Sequence, residues 1–209
     1  DKTQFASIDI SADSIEAGGF EGDKFSQENR DAAEALGASA LGVISALESV
    51  TGDQVVQDYT VVIGSRDGIR LYDPTAQGDG FGGQVVNEST VQAFTDQVSQ
   101  LFADQLDVNL DSFKALSNEG ELLADTIIRV TSQAQAVAPL MDVIGVNIGG
   151  LGDTALSSAN ILIEAVGGLD ALAATTQFYY ANFFSEEERA QVVRESAQSA
   201  IDEFNATIG

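Results

Sequence analysis

The chain has 209 residues, 44 % of them apolar, and carries 33 acidic against 9 basic side chains, a formal charge of −24. That length and apolar share are enough for a buried core in one ordinary domain or two small ones, and they argue against wholesale disorder. The charge excludes sequence-independent binding to nucleic acid or anionic lipid, and the lack of His and Cys excludes disulfides, thiol nucleophiles, imidazole bases and zinc sites built on either ligand.

Residues 1–26 read as an irregular or partly extended N-terminal arm, with Phe5, Ile8, Ile10 and Ile15 separated by polar residues and punctuated by Gly18-Gly19 and Gly22. The opening Asp1, in place of Met, points to a processed product or a piece of something longer. A first helix is predicted over roughly 27–50, capped by Ser26 and ended by Thr51-Gly52. Ala33, Leu36, Ala40, Leu41, Ile44 and Leu47 fall at helical spacing. Gly37 and Gly42 weaken that helix or mark close approach of another.

The clear β signal is Tyr59 to Gly64, then Ser65-Arg66-Asp67-Gly68, then Ile69 to Tyr72, which predicts a β-hairpin on an Asp-Gly turn. An isolated hairpin is marginal, so it must pack on helices or find further strands. The glycine-rich stretch from Asp73-Pro74 to Gly83 reads as a connecting loop. It lacks the Lys and Ser/Thr of a phosphate loop, and a cation site through Asp73 and Asp79 is the competing reading.

A helix follows over about 89–107, with Ser89 and Gln92 as a capping box and Val91, Phe94, Val98, Leu101, Phe102 and Leu106 as its apolar stripe. Another runs from Asn118 to about Ala138, capped by Asn118 and Glu121 and stopped or kinked at Pro139. Residues 140–152 are apolar but glycine-broken and read as a short helix and loop or a short buried strand. Three helices close the chain, over about 153–166, 168–183 and 186–207. Gly167-Gly168 separates the first two, and Ser185 with Glu188 caps the last. The last helix is polar except for a narrow stripe of Val192, Val193, Ala197, Ala200, Ile201 and Phe204, which suits packing against one neighbour or against copies of itself. The fold class is therefore mainly α with a small β-hairpin, a compact helical domain of five to six helices. Its divisions are 1–26, 27–116 and 117–209. No run of about eighteen uninterrupted apolar residues occurs, so no ordinary transmembrane helix is expected. The nearest approach is 134–174, read as buried core.

Paired carboxylates are the one catalytic option present in quantity. Chance pairs are unavoidable among 33 acids, and sugar-cleaving chemistry wants aromatic platforms in a chain that has no Trp. No catalytic, cofactor-binding or metal-ligating residue is assigned, and no cofactor is expected. The feature that stands out is aromatic: Phe178, Tyr179, Tyr180, Phe183 and Phe184. Positions 179/180 and 183/184 stack at i, i+4 on a helix. The plain reading is packing of a helix end, and the functional reading is a subunit-docking patch. The excess of carboxylates likewise has two readings: a solubility or salt-adaptation device, or a surface for a basic partner or cations.

Four stretches carry a family resemblance: Arg129-Val130-Thr131-Ser132-Gln133; Leu140 to Val146; Gly167-Gly168-Leu169-Asp170-Ala171-Leu172; and Tyr179-Tyr180-Ala181-Asn182-Phe183-Phe184-Ser185-Glu186-Glu187-Glu188-Arg189. The pattern resembles a segment of the large tail tape measure proteins of long-tailed phages and prophages. It covers roughly a third of the chain, with the hairpin a looser further likeness. The resemblance implies a virion component, made in the bacterial host cytoplasm, that sits in or at the tip of the tail. There it takes part in length determination, tail assembly and genome ejection. It also implies a homo-oligomer of three copies, contact with tail-tube or tail-tip proteins, no direct nucleic-acid binding, and transient membrane contact through 134–174. It carries over no catalytic or binding residues. The chain departs from a plain measuring rod in not being one continuous heptad helix. The alternative is a free-standing acidic extracellular or surface interaction module without catalytic activity.

Overall fold

A computed structural model describes residues 5–11, 14–17, 27–55, 58–64, 68–73, 75–76, 83–144 and 153–208. The chain forms two compact units, residues 1–132 with 150–157 and residues 133–149 with 158–209. The mainly helical class with its β-hairpin holds, and among the described residues there are seven helices and five strands.

In the first unit the hairpin is the middle of a larger antiparallel sheet. Its strands are β1 (Phe5–Ser11), β2 (Ser14–Ala17), β3 (Tyr59–Gly64), β4 (Gly68–Asp73) and β5 (Gly83–Glu88), ordered β2-β1-β3-β4-β5. The N-terminal segment thus supplies two strands of the sheet, where the sequence suggested an arm. β1 runs along β3 with Ser7 opposite Val62 and Ile10 opposite Tyr59. The hairpin register sets Val61 against Leu71 and Ile63 against Ile69, and β5 joins β4 through a bulge between Leu71 and Tyr72. One face of the sheet turns Tyr59, Val61, Leu71 and Val86 into the core, and Thr60, Val62 and Tyr72 on the opposite face are buried as well.

Helix α1 (Gln27–Thr51) touches β1, β2, β3 and α2 (Val91–Gln105), and α2 touches β4 and β5, so the two helices together cover the sheet. Their buried residues recur at helical spacing: Leu36, Ala40, Val43 and Leu47 on α1, and Phe94, Val98 and Phe102 on α2. The Phe102 ring meets Tyr59 edge-on at 5.2 Å between centroids. Gly42 marks a close approach as expected, since a Cβ there would lie 2.7 Å from Ile128 Cδ1 of α4 (Leu123–Val143). The stretch Asp31–Thr51 is long and apolar enough to cross a membrane by length and composition alone. Its apolar face lies on the sheet and α2.

Several local expectations are revised. The predicted cap Ser26, the turn Ser65–Asp67, Pro74, Asp79 and residues 145–152 lie outside the described residues. Thr90, not Ser89, caps α2, accepting from Ala93 N at 3.2 Å, while Gln92 bonds forward to Asp96 at 2.9 Å. A five-residue helix α3 (Asp111–Ala115), not anticipated, precedes α4. Asn118 and Glu121 do pair, through Asn118 N to Glu121 Oε2 at 2.8 Å, but in a turn ahead of α4. The helix runs through Pro139 to Val143. The carbonyl that Pro139 leaves unbonded belongs to Gln135. Both residues are exposed, so the break falls on the solvent side of the helix, where it costs least.

The second unit holds the end of α4, most of α5 (Asp153–Val166), α6 (Leu169–Phe183) and α7 (Glu186–Ile208). Gly167 and Gly168 end α5 with a paired closure: Gly168 N bonds Ile163 O at 2.8 Å and Gly167 N bonds Glu164 O at 3.2 Å. Their φ values of 87° and 124° are open only to glycine at low cost. α5 and α6 together pass the same length-and-composition test for a membrane span, but they are bent by 85° at this break.

Candidate functional site

The aromatic cluster sits where α6 turns into α7, and the turn is fixed by a reciprocal cap. Ser185 N bonds Glu188 Oε2 at 2.7 Å and Glu188 N bonds Ser185 Oγ at 3.2 Å, the geometry the sequence predicts. The bond donated by the Ser185 backbone, followed by the Ser185 side chain, holds the Glu188 carboxyl below its usual pKa. The turn then sorts the five aromatics into two sets. Tyr180 and Phe184 are half-buried, 5.3 Å apart, and the Tyr180 hydroxyl donates to the Arg189 carbonyl at 3.0 Å, tying α6 to α7. Phe178, Tyr179 and Phe183 face water, 64 %, 45 % and 68 % exposed. Tyr179 stacks on Phe183 at 5.0 Å and 21°, one helical turn apart. The exposed part of the predicted patch is therefore one ridge, Tyr179 stacked on Phe183 above Tyr180 and Phe184, while Phe178 faces water about 100° away around α6.

The ridge lies in an anionic setting. Glu186, Glu187 and Glu188 follow it directly and are exposed. The last turn of α6 has no basic residue to offset the negative end of its helix dipole.

Other candidates are accounted for locally. A polar hollow of about 350 Å³ among Gln92, Asp96, Gln100, Lys114, Ser117 and Glu121 has its polar groups turned to one another: Gln92 to Asp96, and Glu121 to Arg129. An apolar groove of about 370 Å³ runs between Val137 and Met141 of α4 and Ala159, Leu162 and Ala165 of α5, with exposed Ile161 at its lip. Asp73 directs Oδ1 at its own turn, accepting from Thr75 N at 2.7 Å and Thr75 Oγ1 at 2.6 Å. Among the described residues no group of three acids is gathered that could hold a metal ion.

Sequence reasoning missed the fork of Arg129. Its Nε and Nη2 reach Glu121 Oε1 and Oε2 at 2.7 and 2.8 Å, and Nη2 also bonds the Leu116 carbonyl at 2.8 Å. The guanidinium holds the Glu121 carboxyl down at about 2. Glu121 precedes the helix that carries Arg129, so no helical spacing announces the pair. Comparison with known proteins finds no family model, no curated protein and no solved structure that matches this chain.

Proposed function

We propose that the chain acts by contact and not by turnover, as a structural component of a tailed phage particle. In this reading it is a tape measure segment at the tail or its tip, assembling with tail-tube or tail-tip proteins and with copies of itself. One observation carries the contact-making role. Of the eight large apolar side chains exposed among the described residues, six belong to the second unit: Ile161, Phe178, Tyr179, Phe183, Val193 and Ile201. Exposed apolar groups gathered in one part of a chain mark a surface that another protein covers. Val193, Ala197 and Ile201 recur every fourth residue along α7, the spacing with which a helix meets a neighbouring helix. A charge of −24 keeps such a surface soluble until it is covered and keeps the chain off DNA. The tail assignment itself is supported by the sequence resemblance.

The test is genetic and compositional. Peptides of this chain are expected in gradient-purified tailed particles, and deleting its gene is expected to leave particles without tails or with tails of altered length. Deletion particles of normal tail length that still eject their DNA would refute the assignment.

A further inference from the structure

The ridge on α6 has a chemistry of its own. Its two rings, Tyr179 and Phe183, 45 % and 68 % exposed, offer roughly 230 Å² of apolar surface, taking about 200 Å² for each ring side chain. A stable symmetric dimer buries about 800 Å² on each partner, so the ridge alone is too small for one. A two-fold axis through it would also bring the Glu186–Glu188 runs of both copies together, on chains that each carry −24. The same features suit an occupant of opposite sign. Aromatic faces attract Lys and Arg, and the Glu186 and Glu187 carboxylates extend that attraction around the ridge.

We propose that Tyr179 and Phe183, with Glu186 and Glu187 following within a few residues in the first turn of α7, form a docking site for a basic amphipathic segment of a different protein. The segment's apolar residues lie across the rings and its Lys or Arg side chains reach the acidic rim. The inference rests on the contact-making reading but not on the tail assignment. Particle composition tests the latter, and peptide binding tests this one.

The experiment uses the full chain and a short Leu/Lys amphipathic peptide carrying one Trp, a fluorophore the chain lacks. Saturable binding is expected, weakened at least about tenfold by the double substitution Y179A/F183A, because truncating central aromatic anchors removes the largest contributions to an interface. E186Q/E187Q is expected to weaken binding about threefold or more and to flatten its salt dependence. Y179A/F183A leaves the net charge at −24 and alters exposed side chains only, and an unchanged helical spectrum checks that it folds. Equal affinity of the parent chain and Y179A/F183A would overturn the proposal, since general charge attraction would then explain the binding. It is also overturned if Y179A/F183A converts a dimer into monomers, or abolishes binding to uncharged lipid vesicles, because the ridge would then serve a second copy or a membrane.

Discussion

Replacing Glu121 by Gln removes one charge from a pair that is otherwise complete. The Glu121 carboxylate takes two bonds from Arg129 and one from the backbone of Asn118, and the two side chains are only 14 % and 26 % exposed. A carboxyl lowered from 4.5 to about 2 is worth at most about 3.4 kcal/mol to the folded state, at about 1.36 kcal/mol per pH unit. Both groups keep some contact with water, which screens part of that, so about 2 kcal/mol is expected at pH 7. The sign follows from linkage: the folded-state pKa is depressed, so the contribution is complete above the ordinary carboxyl value and fades as pH falls through about 2. Urea unfolding of the chain and of E121Q, followed by helical signal between pH 7 and pH 2.5, reads it directly. The difference between the two proteins should hold near about 2 kcal/mol from neutral pH to about 5 and shrink steadily below 4.5. Comparing the two cancels the broad effect of protonating the other carboxylates. A difference that does not change with pH, or one below about 0.5 kcal/mol at neutrality, would refute the assignment of this pair as a stabilising contact.

Gly68 begins β4 at φ 79°, and a Cβ there would lie 2.5 Å from the backbone carbonyl of Glu88, whereas Gly52 has nearly the same φ with open space around it. G68A is expected to cost about 3 kcal/mol or more and G52A about 1, so their gap in chemical denaturation measures the contact apart from the backbone strain. S185A removes the hydroxyl that accepts from Glu188 N at 3.2 Å and is expected to cost about 1 kcal/mol, read as earlier loss of helical signal on heating.

What the sequence made legible was local. The Ser185–Glu188 cap, the Gly167-Gly168 break and the stack of Tyr179 on Phe183 each involve residues within four positions of one another, so periodicity and cap chemistry reached them. Thr90 and Ser89 are both good caps and adjacent, and residue type alone could not choose between them. The misread parts are long-range. β1 is a strand because its backbone bonds to β3, with the Thr60 hydroxyl donating to Asp9 Oδ1 at 2.7 Å across 51 positions of chain. Its own sequence alternates from Ala6 to Ser11 and reads as extended, but it does not say which strand it pairs with. Pro139 shows the converse for one of its two expected effects: it does not stop α4, which runs on to Val143. The aromatic ridge was half legible. The i, i+4 stacking was readable, but the sorting into outward and inward rings depends on where α7 folds back, which Tyr180 and Arg189 decide.

Charge connects the stability of the fold to its proposed role. Arg129 is engaged with Glu121 and Leu116, and Lys114 lies 3.7 Å from Asp111, so even the few cations partly serve local structure. With 33 acids against 9 bases, most carboxylates face one another through solvent. Their mutual repulsion opposes the compact state and is screened by salt, over about 10 Å at 0.1 M and about 3 Å at 1 M. Melting of the chain should therefore rise by several degrees as NaCl is raised from about 0.02 to about 0.5 M, while the Glu121–Arg129 contribution, held at direct contact, changes little. The same repulsion should leave the chain unretained on a DNA column at the lower salt. Tight DNA binding there, or a melting temperature that falls with salt, would mean that the surface charge is locally compensated. An anionic shell could then no longer be the device that, in the proposed role, keeps the six exposed apolar side chains of the second unit in solution until the proposed partner covers them.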